Sequence, residues 1–274
     1  MKAMIIQLFF TCFLLSCSNN NMHNSVDRTE LSSADYRLFQ NTTAWELAQA
    51  VQDEDTEKIN KIASENPRII NYRDVKYGNT LLMLAIMNQQ LESFKTLLKK
   101  GANVNTHNSF DGTSPIIESC ASKYYNIIFT KILIKYGANV NDIEIGKRRQ
   151  ENSTRLTPLI AASKTGKLDL VRLLVSKGAN VNYQNEFGQS ALSEAVLMGK
   201  YKVAYYLLRN GADYNRPIFY QPDYSVPIEK SSPKDKREPM YLLNVLQEDV
   251  SDLDAEEYKY KNRIIYFLKR KVGK

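Results

Sequence analysis

Three cysteines and two histidines are all that the chain offers a metal or a redox reaction. His23 and His107 have no Cys, Asp or Glu around them at metal-ligand spacing, so no metal centre is expected. No nucleophile-and-base arrangement and no phosphate loop occurs, so neither an enzyme nor a cofactor is expected. The formal net charge of +7 reads as modest and spread along the chain. With no basic stripe interleaved with stacking aromatics, nucleic acid is not an expected partner. The apolar run from about Met4 to Leu15, behind Lys2, is too short for a membrane span and has the form of a secretory leader.

The end of that run, Leu14-Leu15-Ser16-Cys17, resembles the bacterial lipobox. The resemblance implies cleavage before Cys17 and acylation of its thiol, with residues 1–16 as signal peptide and 17–40 as lipidated Cys and polar tether. The rival reading makes Cys17 an incidental residue of an ordinary signal peptide. Ser18 resembles the residue that follows the acylated Cys in lipoproteins sorted to the outer membrane, which implies anchoring in the envelope facing the periplasm. With Cys12 removed and Cys17 acylated, Cys120 remains as the sole thiol and no intramolecular disulfide can form.

What the chain has in quantity is repetition. "KGANVN" occurs at 100–105 and 177–182, with "YGANVN" at 136–141 and "NGADYN" at 210–215. The four glycines, Gly101, Gly137, Gly178 and Gly211, are spaced by 36, 41 and 33 residues, the period of a helical-hairpin solenoid. Ten residues before them stand Leu91, Ile127, Leu168 and Tyr201; four before stand Leu97, Leu133, Leu174 and Leu207. These offsets line one face of a helix that ends at the glycine. Upstream, Thr80, Ser114, Thr157 and Ser190 are placed to cap a first helix, and Pro115 and Pro158 fit its first turn. Ala85, Ser119, Ala162 and Ala195 are small enough to let neighbouring first helices approach.

These units resemble ankyrin repeats in both their Thr-Pro-Leu-x-x-Ala opening and their Gly-Ala-Asn-Val-Asn close. The family's histidine in the opening motif is absent; Met83, Ile117, Ile160 and Ser193 replace it. The resemblance implies an all-α solenoid of five to six helix-turn-helix repeats with β-hairpin fingers, over residues 41–274. Clear repeats cover about 72–215, and a diverged first repeat covers 44–71, with Asn66 in the place of the glycine. A diverged capping repeat is expected at 239–274, its helices drawn from "PMYLLNVLQ" and "YKNRIIYFLKRKVG", with Gly273 as stop. Insertions interrupt the period at 142–156 and, with four prolines, at 216–238.

A solenoid presents a wall, and the resemblance implies that another protein binds its concave side and that the molecule is a monomer. Tyr77, Phe110 and Phe187 recur at hairpin tips, and Met87, Asn88, Lys164, Leu197 and Met198 fall near the ends of first helices. The aromatics stand either as a binding hot spot or as braces between hairpins. Lys147, Arg148 and Arg149 form either a contact for an acidic protein or lipid headgroup, or a solubilising loop. Cys120 reads as a small core residue and His107 as an exposed turn residue. The carboxylates of Gln52–Glu57 read as solvating a turn. Exported bacterial solenoids of this type include immunity proteins, so inhibition of a periplasm-delivered toxin is one expected role; a scaffold for envelope or stress-defence enzymes is the other.

Overall fold

The computed structural model describes residues 27–122, 124, 126–146, 155–185, 188–220, 238–249 and 251–272. Five helical hairpins follow one another: α1 (Trp45–Gln52) with α2 (Thr56–Glu65), α3 (Leu81–Met87) with α4 (Leu91–Lys99), α5 (Pro115–Ala121) with α6 (Ile127–Lys135), α7 (Pro158–Lys164) with α8 (Leu168–Ser176), and α9 (Ala191–Leu197) with α10 (Tyr201–Arg209). Strands β1 (Phe219–Tyr220) and β2 (Pro239–Met240) lead to α11 (Leu242–Glu248) and α12 (Ala255–Val272).

Each unit starts and stops by the same chemistry. The hydroxyls of Thr80, Thr157 and Ser190 accept from the backbone N–H of Met83, Ile160 and Ser193. Ser114 departs from the expectation: its Oγ makes no capping bond and is buried without a partner, and the helix start rests on Pro115. Ser193, in the column that lacks the histidine, accepts from the Ser190 N–H and so restores hydrogen bonding to the turn. At the other end Gly101, Gly137, Gly178 and Gly211 adopt φ of 88°, 88°, 85° and 88°. The alanine after each donates to the leucine carbonyl five residues back, as from Ala102 to Leu97 at 3.0 Å, which satisfies the last free carbonyls of the helix. Asn66 does not do this; its φ is −139°, because Pro67 disfavours helical backbone in the residue before it.

The closing motif also joins one unit to the next. Asn141 Nδ2 donates to Gly178 O at 3.1 Å and its Oδ1 accepts from Asn180 N at 2.7 Å. Asn105 clasps Gly137 and Asn139 in the same way, and Asn182 clasps Gly211 and Asp213.

First helices pack on first helices from α1 to α9, with Ala85, Ser119, Ala162 and Ala195 buried between them. Among the second helices α2 packs on α4, while α4 meets α6 chiefly through the ring of Phe94, edge-on to Phe129 at 4.8 Å. The apolar interior falls into two clusters, one from Leu31 to Ala138 and one from Cys120 to Leu268, and among the described residues Ile134 and Leu156 pack against both.

Both flanks correct the sequence reading. The polar tether expected over 17–40 gives way, from Asp27 on, to two 3-10 turns, Arg28–Glu30 and Tyr36–Phe39, capped by Asp27 and Asp35. Leu31, Tyr36, Leu38 and Phe39 are buried in the first cluster, because the outer side of α1 would otherwise face water. At the other flank, Pro239 and Met240 pair as a strand with Tyr220 and Phe219, so the helix expected from Pro239 begins at Leu242. Helix α12 lies along α10 in parallel, with ring contacts from Tyr205 against Tyr260, tilted at 5.7 Å, to Tyr214 edge-on to Phe267 at 6.2 Å. It therefore takes the place of a second helix in a sixth unit. Gly273 lies outside the described residues.

Candidate protein-docking face

The hairpin tips are built from buried polar side chains whose role the sequence reading missed. The Asp74 carboxylate accepts from the N–H groups of Lys76, Tyr77 and Asn79 at 2.7 to 2.8 Å, folding the first tip around itself. Asn108 does this for the second tip, accepting from Phe110, Asp111 and Gly112, and its Nδ2 reaches Asn79 at 3.0 Å. The signal was an Asx residue at the base of each tip, just before a Gly turn. Successive tips are then laced together: Tyr77 O accepts from Ser109 and Phe110 N–H, and Gly112 O from Ile145 N–H. His107 is not an exposed turn residue. Its Nε2 lies 3.1 Å from Asp142 Oδ1 of the next tip, with 18% of the side chain exposed.

Of the two readings of the tip aromatics, bracing accounts for Tyr77. Its ring meets Phe110 edge-on at 5.2 Å and its hydroxyl donates to Leu31 O at 2.9 Å. Lys76 also reaches the 27–39 segment, through Thr29 O and Leu31 O. Asn88, at the end of α3, is engaged by the same segment through Ala34 O at 2.9 Å. Tyr77 and Asn88 are thus held by the chain's own first turns, while Met87 beside them is half-buried.

Further along the row the first-helix ends are open. Tyr124 is 57% exposed, Leu197 44% and Met198 45%, although α7 and α9 are otherwise almost wholly buried. Lys164 stands between them, its Nζ 3.7 Å from the nearly buried Glu194 carboxylate. Lys167 closes the edge by donating to Cys120 O and Ser122 O. Behind this row Glu118 keeps its proton above the usual carboxylate range: burial, then the negative charges of Asp111 and Glu144, push it up to about 7, with Lys167 opposing. Phe187, Lys147, Arg148, Arg149 and Cys17 lie outside the described residues.

Cys120 is fully buried, and that burial pushes its thiol up to about 12, so it packs and does not react. Among the described residues no three His, Cys, Asp or Glu side chains converge as metal ligands, and no helix is long and apolar enough to cross a membrane.

The charge is less evenly distributed than the sequence reading held. Residues 1–258 carry 30 Lys and Arg against 30 Asp and Glu, while 259–274 carry seven cations and no carboxylate.

Known proteins carry the same repeat. An ankyrin repeat protein of fowlpox virus is 36% identical over 120 residues, 43% of this chain and 33% of its own length. An ankyrin repeat protein of Acanthamoeba polyphaga mimivirus is 35% identical over 88 residues, 32% of this chain and 52% of its own. Human transient receptor potential cation channel subfamily A member 1 is 27% identical over 168 residues, 61% of this chain and 14% of its own. The chain therefore spans a third to a half of the two viral proteins and a small part of the channel. The family model for ankyrin repeats matches residues 47–144 and 141–218, the stretch that holds all five helical hairpins. With more than half of its residues covered by that model, and with four of its five hairpins ended by the same left-handed glycine, the chain belongs to the ankyrin-repeat family.

Proposed function

We propose that this chain is a protein-binding module whose partner docks on the open first-helix ends from Tyr124 through Lys164 to Leu197 and Met198. The observation that carries the reading is the exposure of Leu197 and Met198 at the end of a helix whose six preceding residues are all buried. A large aliphatic side chain left in water beside a flexible thioether is what a protein partner covers with gain. Replacing both by Glu should abolish capture of the partner while leaving the unfolding midpoint within about 0.5 kcal/mol of the parent, as for other surface changes. Retained capture would move the docking face elsewhere.

The finer reading places the module in a bacterial envelope, held by acylated Cys17 and facing the periplasm, where it neutralises a delivered toxin. Its support is the leader-like pattern of residues 1–17 together with a fold that binds without reacting. The similar proteins are viral and animal, so the envelope placement rests on that pattern alone. Metabolic labelling with a fatty-acid probe should mark the wild type and not C17S. A toxin encoded beside the gene should kill cells lacking the chain and spare those that express it. Equal survival, with envelope enzymes captured from membranes in the absence of any toxin, would put the scaffold role in its place.

A further inference from the structure

Helices α10 and α12 enclose a groove of about 620 Å³. Arg209 from α10 and Lys259, Arg263, Arg270 and Lys271 from α12 line it, and no carboxylate does. None of these five has an ion-pair partner among the described residues.

Helix-end electrostatics explain only part of this. Arg209, Arg270 and Lys271 sit in last turns, where a cation complements the helix dipole, but that effect fades within a turn. Lys259 and Arg263 lie in the body of the 18-residue α12. Elsewhere on the helix Lys261 is bound to Asp249 at 3.0 Å, and Glu256 pairs with Lys202 at 2.7 Å. Four of the seven cations of 259–274 therefore line one groove, together with Arg209 and without a carboxylate beside them.

We infer that this groove binds an acidic, extended or helical segment of a protein partner, whose carboxylates meet the Arg263 and Arg270 guanidinium groups while its apolar side chains rest on Tyr205 and Phe267. Guanidinium groups present a fork suited to carboxylate, and Tyr and Arg are the side chains that concentrate binding energy at protein contacts. The recessed position between two helices suits a single chain segment better than a flat membrane or a duplex. A single-stranded nucleic acid would also meet cations and rings here, so the oligonucleotide is one arm of the test. The groove belongs to α10 and α12, second-helix positions, and so is separate from the first-helix face proposed above.

The test is fluorescence anisotropy on the full chain with three probes: a labelled twelve-residue peptide alternating Glu with Leu, an oligothymidine of twelve nucleotides, and vesicles of anionic lipid. The peptide should bind saturably, R263E/R270E should weaken it by about tenfold or more, and K99E/K177E, which reverses two exposed cations on other units, should leave it unchanged. Equal loss in both variants would reduce the effect to general charge and overturn the inference. So would peptide binding that R263E/R270E does not change, or binding of the oligonucleotide or vesicles without the peptide. Circular dichroism of each variant separates lost binding from lost fold.

Discussion

Asn141 reaches 39 residues along the chain to accept the backbone N–H of Asn180 at 2.7 Å, while its amide holds Gly178 O. The same side chain therefore reads the next unit's turn from both sides, and Asn105 and Asn182 repeat the operation. Conversion of Asn141 to Ala removes both bonds at an exposed site and should cost about 1 kcal/mol. Urea denaturation of N141A and of N105A/N182A measures it; the double variant should lose about the sum of its parts, since separated sites add. An unchanged midpoint in both would reduce the clasp to a surface ornament.

A side chain added at Gly137 would point into open space, so the cost of a substitution there is purely conformational. With φ at 88°, G137A should lose about 1 to 2 kcal/mol, and G137N less, because Asn tolerates left-handed backbone. Thermal unfolding distinguishes the two; equal midpoints would show that the turn relaxes.

Phe39 is fully buried and its ring lies 6.2 Å from that of Tyr72. A residue in a solvated tether could be changed freely, whereas F39A should cost roughly 3 to 5 kcal/mol as a core truncation. Its unfolding midpoint against that of wild type decides between the two.

Glu118 keeps its proton in the fold up to about pH 7, while the unfolded chain releases it near 4.5. The folded state thus binds the extra proton between those values, and this group's contribution is full below 4.5 and lost as pH rises through 7. Relative to wild type, E118Q should gain stability on going from pH 4.5 to 8. Parallel urea midpoints at the two pH values would refute the shift.

Most of the architecture was legible because the fold repeats. A left-handed glycine and a capped apolar helix recur in register, and each copy supports the reading of the others. Asn66 misled because the proline after it overrides the column it occupies. The first turns misled for another reason: Leu31, Leu38 and Phe39 are too few and too irregularly spaced to show a period, and only the exposed side of α1 gives them a place. The charge on α12 was plain in the residues, but an average over the whole chain concealed it. At the proposed docking face, the exposure of Leu197 and Met198 follows from repeat position, whereas the capture of Tyr77 and Asn88 by residues 27–39 depends on contacts across more than 40 residues that no local pattern announces.

The division of the apolar interior bears on how the molecule yields. Helix α5 contributes Ile116 and Ile117 to one cluster and Cys120 to the other, and the bridge between clusters is Ile134 and Leu156. The apolar interior divides at that seam even though α5 and α7 pack across it, so denaturant or tension should separate the amino-terminal and carboxyl-terminal halves there. A ligand gripping both halves would act as a splint across that division.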